Sequence, residues 1–128
     1  MTYSLADSFK KRGPIRTIGV IGMGYVGIPA AALFAQSFTK VYGFQRDSNS
    51  SGYKISLLNS GINPLKGEEP GLDELIREVV FKKKFECTSD FSKISFCDVV
   101  TIAIQTPFLN SKDLIPDFSA LEDGIRQV

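Results

Sequence analysis

The chain has no histidine, so neither imidazole acid–base chemistry nor histidine ligation of a metal can arise within its 128 residues. Cysteine is scarce. Cys87 and Cys97 are too few for a disulfide framework and do not stand in a metal-ligand spacing. They read as small packing thiols of a reducing cytoplasm. A surplus of charge is lacking too. Fifteen basic and fourteen acidic residues leave a net charge of +1, which excludes the electrostatic footprint of a nucleic-acid or membrane-surface protein. The two short basic clusters, residues 10–12 and 82–84, read as solvated faces or helix ends. No apolar run approaches the roughly 20 residues of a membrane span. Residues 1–13 lack the apolar stretch of a signal peptide. There is no internal repeat and no low-complexity tract. One globular domain is the natural reading at this length, with residues 1–14 as a polar arm and residues 15–128 as the folded unit.

What is present is an alternation of strand and helix signals. Residues 16–22 are short, β-branched and apolar on both faces, as a buried parallel strand should be. An Ala-rich helix follows over 28–36, with Pro29 fitting its first turn. A second strand is read at 40–45. The serines at 48–51 suggest a loop and helix cap, residues 53–59 a helix closed by Gly61, and 63–71 a loop rich in breakers. Residues 72–83 carry Leu72, Leu75, Ile76, Val79 and Val80 on one helical face. A short strand at 85–88, a helical turn from Ser89 or Asp90 to Ile94, and an apolar strand at 98–104 come next. Ser119 and Glu122 have capping-box spacing, opening a helix with Leu121, Ile125 and Val128 on one face. This pattern predicts an α/β fold, a Rossmann-type doubly wound parallel sheet with strand order 3-2-1-4. The expectation is that the sheet is incomplete at its C-terminal end, which would leave the apolar strand 98–104 as an open edge prone to self-association.

The motif that carries chemistry is Gly22, Met23, Gly24, Tyr25, Val26, Gly27, a G-x-G-x-x-G sequence. Alone it is a weak signal. Here it follows a strand, opens a helix and precedes a second strand, the context of a dinucleotide-binding fingerprint. Gly22 allows the tight turn, Gly24 lets a pyrophosphate approach the backbone, and Gly27 lets the helix pack close to the strand. The helix N-terminus offers N–H groups and partial positive charge to the phosphates. Roughly 20 residues on, an acid is expected to hold the adenosine ribose 2′-hydroxyl. Gln45 stands there, followed by Arg46 and Asp47. Gln45 can accept a hydrogen bond without charge. Arg46 could attract a 2′-phosphate or stack on adenine, Asp47 could take the acid's role, or the two could be a solvated pair. NAD is the expected cofactor, with NADP not excluded.

With these motifs the sequence resembles the UDP-glucose/GDP-mannose dehydrogenase family. Four stretches carry the resemblance: residues 18–29 with Tyr25 and Val26 inside the glycine motif, residues 58–64 leading to 69–75 with Glu69, Pro70, Gly71 and Leu72, residues 98–107, and residues 116–121. The resemblance implies oxidation of a nucleotide sugar to its uronic acid with two nicotinamide molecules, the aldehyde being trapped on a cysteine as a thiohemiacetal. It places Gly22 to Gly27 on the pyrophosphate, Gln45 at the ribose and Thr106 at the mouth of the fourth strand. That cysteine normally lies in a later domain, and neither Cys87 nor Cys97 matches it, so no catalytic residue is assigned here. The chain departs from the family at Gln45, usually an acid, at Gln105, usually small, and at Phe108, usually polar. About four additional residues near 49–53 lengthen the turn after the second strand, and the N-terminal arm is longer than usual. These departures lean toward the branch acting on N-acetylated sugars such as UDP-N-acetylmannosamine.

Three functions follow. The first is the cofactor-binding part of a cytoplasmic nucleotide-sugar dehydrogenase of polysaccharide biosynthesis, inactive alone and homo-oligomeric when full length. The second is a stand-alone module that senses NAD(H). The third is another hydroxyacid-type dehydrogenase, against which the Glu69 to Leu72 stretch and the Tyr25–Val26 pair speak.

Overall fold

The computed structural model describes residues 4–67, 69–109, 112 and 114–128. Four strands, β1 (Thr17–Ile21), β2 (Lys40–Phe44), β3 (Phe85–Thr88) and β4 (Val99–Ile102), form one sheet in the order β3-β2-β1-β4. All three pairings are parallel, with Ile18 opposite both Val41 and Val99. The expected order is thus the observed one. Parallel neighbours require crossovers, and the helices α2 (Gly27–Ser37), α3 (Tyr53–Asn59) and α4 (Leu72–Phe81) supply them. A 3-10 turn, Phe91–Phe96, precedes β4, and α5 (Ser119–Arg126) follows it.

The core lies between the sheet and these helices. Ile18, Val20, Val41, Phe85 and Cys87 from the strands meet Ile28, Ala31, Ala32 and Ala35 of α2 and Leu72, Ile76 and Val79 of α4. The alanines let α2 lie close to the sheet. The apolar stripe of α4 turns inward as its period predicts, with Leu75 and Val80 partly buried beside it. At Gly19 a β-carbon would sit 2.9 Å from the Cys97 sulfur, so this thiol fills the volume that glycine leaves.

Several sequence expectations need correction. Residues 1–3 of the expected arm lie outside the described residues, but the rest of it is a helix, α1 (Leu5–Arg12). Ser4 caps it by accepting from the Asp7 N–H at 3.1 Å, Asp7 sits in its first turn, and Lys10, Lys11 and Arg12 in its last. Each charge complements the helix dipole, which compensates for the lack of an apolar stripe. The serine loop does not cap α3 through a side chain: Gly52 holds the cap position, donating to the Ser48 carbonyl at 2.8 Å. The capping box at Ser119 does not form either. Ser119 is already helical, and its N–H donates to the Asp117 carboxylate at 3.0 Å. On the face of α5 that carries Ile125, that side chain and Val128 beyond the helix are exposed; the buried residue of α5 is Gly124, packed under Ile104.

Two side chains tie the sheet ends. The Asn59 amide replaces a missing strand partner at the outer edge of β3: its Nδ2 donates to the Cys87 carbonyl and its Oδ1 accepts from the Cys87 N–H, both at 2.8 Å. Asp98 holds the start of β1, its Oδ2 accepting from the Arg16 and Thr17 N–H groups at 2.9 and 3.0 Å. These two N–H groups, with the Arg12 and Arg16 charges nearby, hold its carboxyl below the usual aspartate range.

Two outcomes are expected. Asn59→Ala should lower the unfolding free energy by about 2–3 kcal/mol, because two bonds are lost and two backbone groups are left unpaired; urea denaturation measures this. A depressed carboxylate pKa contributes stability above its unfolded value and loses it as pH falls through the folded value. Asp98→Asn should therefore destabilise at about pH 7, with the difference from the unmodified chain shrinking by about pH 3. An equal deficit at both pH values would count against a charge effect.

Candidate functional site

Strand order reverses direction between β1 and β4, and a cleft of about 370 Å³ opens there at the C-terminal ends of the strands. Open α/β sheets bind ligands at such a switch point. Three strand ends contribute: Ile21 and Gly22 after β1, Phe44, Gln45 and Arg46 after β2, and Ala103, Ile104 and Gln105 after β4. Phe44 and Phe91, with ring centroids 5.5 Å apart, form an apolar wall. Ala120 and Gly124 of α5, with Gln127 just after it, close another side.

The glycine turn is built by backbone contacts. Gly22 has φ +99°, a conformation that glycine adopts without penalty. A β-carbon there would also lie 2.5 Å from the Ala103 carbonyl oxygen of the neighbouring chain segment. At Gly27, the first residue of α2, a β-carbon would run into the Gly22 carbonyl. Gly24 differs: the nearest heavy atom to a β-carbon would be Gln105 Nε2 at 3.9 Å, so its missing side chain leaves open cleft. Met23 turns its side chain into the core, 1% exposed. Its backbone polar groups are both taken, the N–H by Gln45 Oε1 at 3.3 Å and the carbonyl by Lys54 Nζ at 2.9 Å. Among the described residues, the N–H groups of Gly24, Tyr25 and Val26 have no protein acceptor.

The structure brings Gly22, Met23, Gly24, Gln45 and Arg46 together around this cleft. Tyr25, Val26 and Thr106 lie around its neighbour, a second cleft of about 330 Å³ that shares Gly24, Ala103, Ile104 and Gln105. The Tyr25 hydroxyl donates to the Lys66 carbonyl at 3.2 Å, fastening the breaker-rich loop to the glycine turn. Arg46 does not pair with Asp47. Its guanidinium meets the Asp123 carboxylate of α5 at 3.0 Å, and Asp47 does not line the cleft. Sequence reading missed Ser51, Lys54, Phe91 and the α5 residues, because none shares a motif with the glycine turn. Neither cysteine is poised as a nucleophile. Burial pushes the Cys87 thiol up to about 12 and the Cys97 thiol up to about 11.

A parallel sheet in this order, with a glycine turn at the switch point, defines a dinucleotide-binding domain of the Rossmann class. Residues 16–128 match the NAD binding domain of the UDP-glucose/GDP-mannose dehydrogenase family, and the chain belongs to that family. It is 36% identical over 111 residues to the UDP-N-acetyl-D-mannosamine dehydrogenase of Pyrococcus horikoshii, covering 87% of this chain and 24% of that protein. Its fold is similar to the crystal structure of an NDP-N-acetyl-D-galactosaminuronic acid dehydrogenase from Methanosarcina mazei Go1, with 67% identity and a TM-score of 0.94 over 100% of this chain and 27% of that one. A GDP-mannose dehydrogenase from Pseudomonas aeruginosa, solved as a ternary complex, gives 31% identity and a TM-score of 0.73 over 86% of this chain and 24% of that one. The chain thus spans about a quarter of the length of these relatives.

The different environments of the glycines make a direct test. Gly27→Ala is expected to cost about 3 kcal/mol or more, since the obstacle is backbone. Gly24→Ala should stay within about 0.5 kcal/mol of the unmodified chain. Thermal melts of the two variants measure the difference; equal losses would mean that the turn is not packed as described.

Proposed function

We propose that this chain is the cofactor-binding part of a nucleotide-sugar 6-dehydrogenase that oxidises an N-acetylated NDP-sugar to the uronic acid with two NAD. The observation that carries this reading is the glycine turn at the switch point, where Gly24 leaves a cradle and three successive N–H groups lack protein acceptors. The family match supplies the cofactor. The likeness to relatives named for UDP-N-acetyl-D-mannosamine and NDP-N-acetyl-D-galactosaminuronic acid supplies the sugar class.

In this reading Gly22, Met23, Gly24, Tyr25, Val26 and Gly27 hold the pyrophosphate, Gln45 and Arg46 the adenosine ribose, and Thr106 the nicotinamide side. The cofactor when bound supplies the hydride acceptor for the C6 alcohol. The chain's own contribution is positional. Backbone N–H groups and the start of α2 face the phosphates, and the Phe44–Phe91 wall excludes water from one side of the cleft. With both thiols protonated by burial, neither Cys87 nor Cys97 serves as the trap for an aldehyde. The nucleotide sugar as substrate, a homo-oligomeric full-length enzyme, a cytoplasmic setting and a role in polysaccharide biosynthesis complete the proposal. No helix among the described residues is long and apolar enough to cross a membrane.

Gly24→Val is the test. It should fold, yet fill the cradle and weaken NAD at least about a hundredfold, a loss of about 2.8 kcal/mol. Calorimetric titration with NAD checks it, and full affinity in a folded variant would remove the glycine turn from the binding site.

A further inference from the structure

The cleft ends, beyond β2, in a cluster of polar side chains that the reaction itself does not explain. Two cations line it, Arg46 and Lys54, and among the described residues lining it there is no carboxylate. An acid after the second strand normally favours NAD twice, by accepting from the ribose 2′-hydroxyl and by repelling a 2′-phosphate. Gln45 carries no charge to repel a 2′-phosphate, and one lone pair of its amide oxygen is left for a ribose hydroxyl. Its Oε1 is engaged by the Met23 N–H at 3.3 Å, and its Nε2 donates to the Ser51 hydroxyl at 3.0 Å. The serine loop continues the same surface: the Ser48 hydroxyl lies 2.6 Å from that of Ser51 and 3.4 Å from that of Ser50. Hydroxyl groups can turn to donate to a phosphate oxygen.

We propose that the ribose end of this cleft accepts the 2′-phosphate of NADP as well as the free 2′-hydroxyl of NAD, with Arg46, Lys54 and Ser51 as its partners. The inference rests on reading the cleft as the dinucleotide site. Arg46 is held by Asp123, but both side chains are more than half exposed, and such pairs are weak enough to exchange for a phosphate. The guanidinium also keeps further N–H donors when Asp123 occupies one nitrogen. Lys54 uses one donor on the Met23 carbonyl at 2.9 Å, which fixes its charge at the rim and leaves two donors. The nearby carboxylates do not oppose this. Asp123 does not line the cleft and is more than half exposed, so solvent screens its charge once Arg46 turns away, and Asp47 turns toward the start of α3, where a β-carbon at Gly52 would lie 2.5 Å from its Oδ1.

Calorimetric titration of the purified protein with NAD and with NADP, each at low and high salt, tests the proposal. The expected result is an NADP Kd no more than about tenfold above that of NAD, and a steeper loss of NADP binding with salt. Gln45→Glu keeps the acceptor for Met23 and adds a charge. It should weaken NADP on the order of a hundredfold and leave NAD equal or tighter. Arg46→Ala changes only an exposed side chain and so keeps the test available if the first variant misfolds. Its loss of NADP affinity should exceed its loss of NAD affinity by about tenfold, and equal losses for the two would overturn the proposal. If NAD binds while NADP is weaker by more than about tenfold, the proposal is overturned and the reading of the cleft stands. If neither dinucleotide binds to the folded protein, the reading of the cleft falls and the proposal with it.

Discussion

The cleft depends on one backbone contact. The Gly22 carbonyl fills the space that a side chain at Gly27 would need, so the end of β1 and the first turn of α2 meet with no side chain between them. This contact sets where the helix starts relative to the sheet. With α2 so placed, Ile28, Ala31, Ala32 and Ala35 reach the sheet face and are fully buried. The same contact turns the start of α2 toward the switch point between β1 and β4. Core packing and the geometry of the cleft are therefore consequences of one constraint, and Gly22 and Gly27 are required by the fold itself.

A second layer of interactions fixes what surrounds that turn. The Gln45 side chain ties the end of β2 to the glycine turn through Met23, 22 residues earlier, and to the serine loop through Ser51, six residues on. Its backbone N–H is also paired, with the Thr88 carbonyl at 3.0 Å. A carboxylate at this position could accept from the Met23 N–H, but it could not donate to Ser51. The amide, as a donor, is thus matched to the serine loop beside it.

The strands and the long helices were legible because each has a one-dimensional signal. The strands β1 and β4 read as apolar on both faces, and α4 carries a stripe at helical spacing. The glycine motif was legible because its neighbours in sequence are its neighbours in space. What escaped lacked such signals. The helix α1 is marked by its cap and well-placed charges rather than by a sustained apolar period. The inward face of α5 has no such signal because Gly124, rather than a large apolar residue, marks the closest approach. Lys54 meets the cleft from α3, and Asp123 of α5 meets Arg46 beside it; both elements owe their positions to tertiary packing. Their partners, the Met23 carbonyl and Arg46, lie 31 and 77 residues away.

The wiring of Met23 explains how this site can be ready before any ligand arrives. Its side chain is locked in the core beneath Gly43, where a β-carbon would sit 2.6 Å from the sulfur. Its N–H and carbonyl are both hydrogen-bonded to side chains from β2 and α3. The residue is thereby immobilised at three points, and the next three N–H groups are held in place by what precedes them and by α2 behind them. For a ligand at the turn, as proposed, little ordering would then be left to be done, and the entropic cost of binding would fall accordingly. A flexible glycine loop would bear that cost at each encounter. Here the rigidity comes from Met23, the least conspicuous member of the motif, and from two side chains that no local reading of the sequence would place beside it.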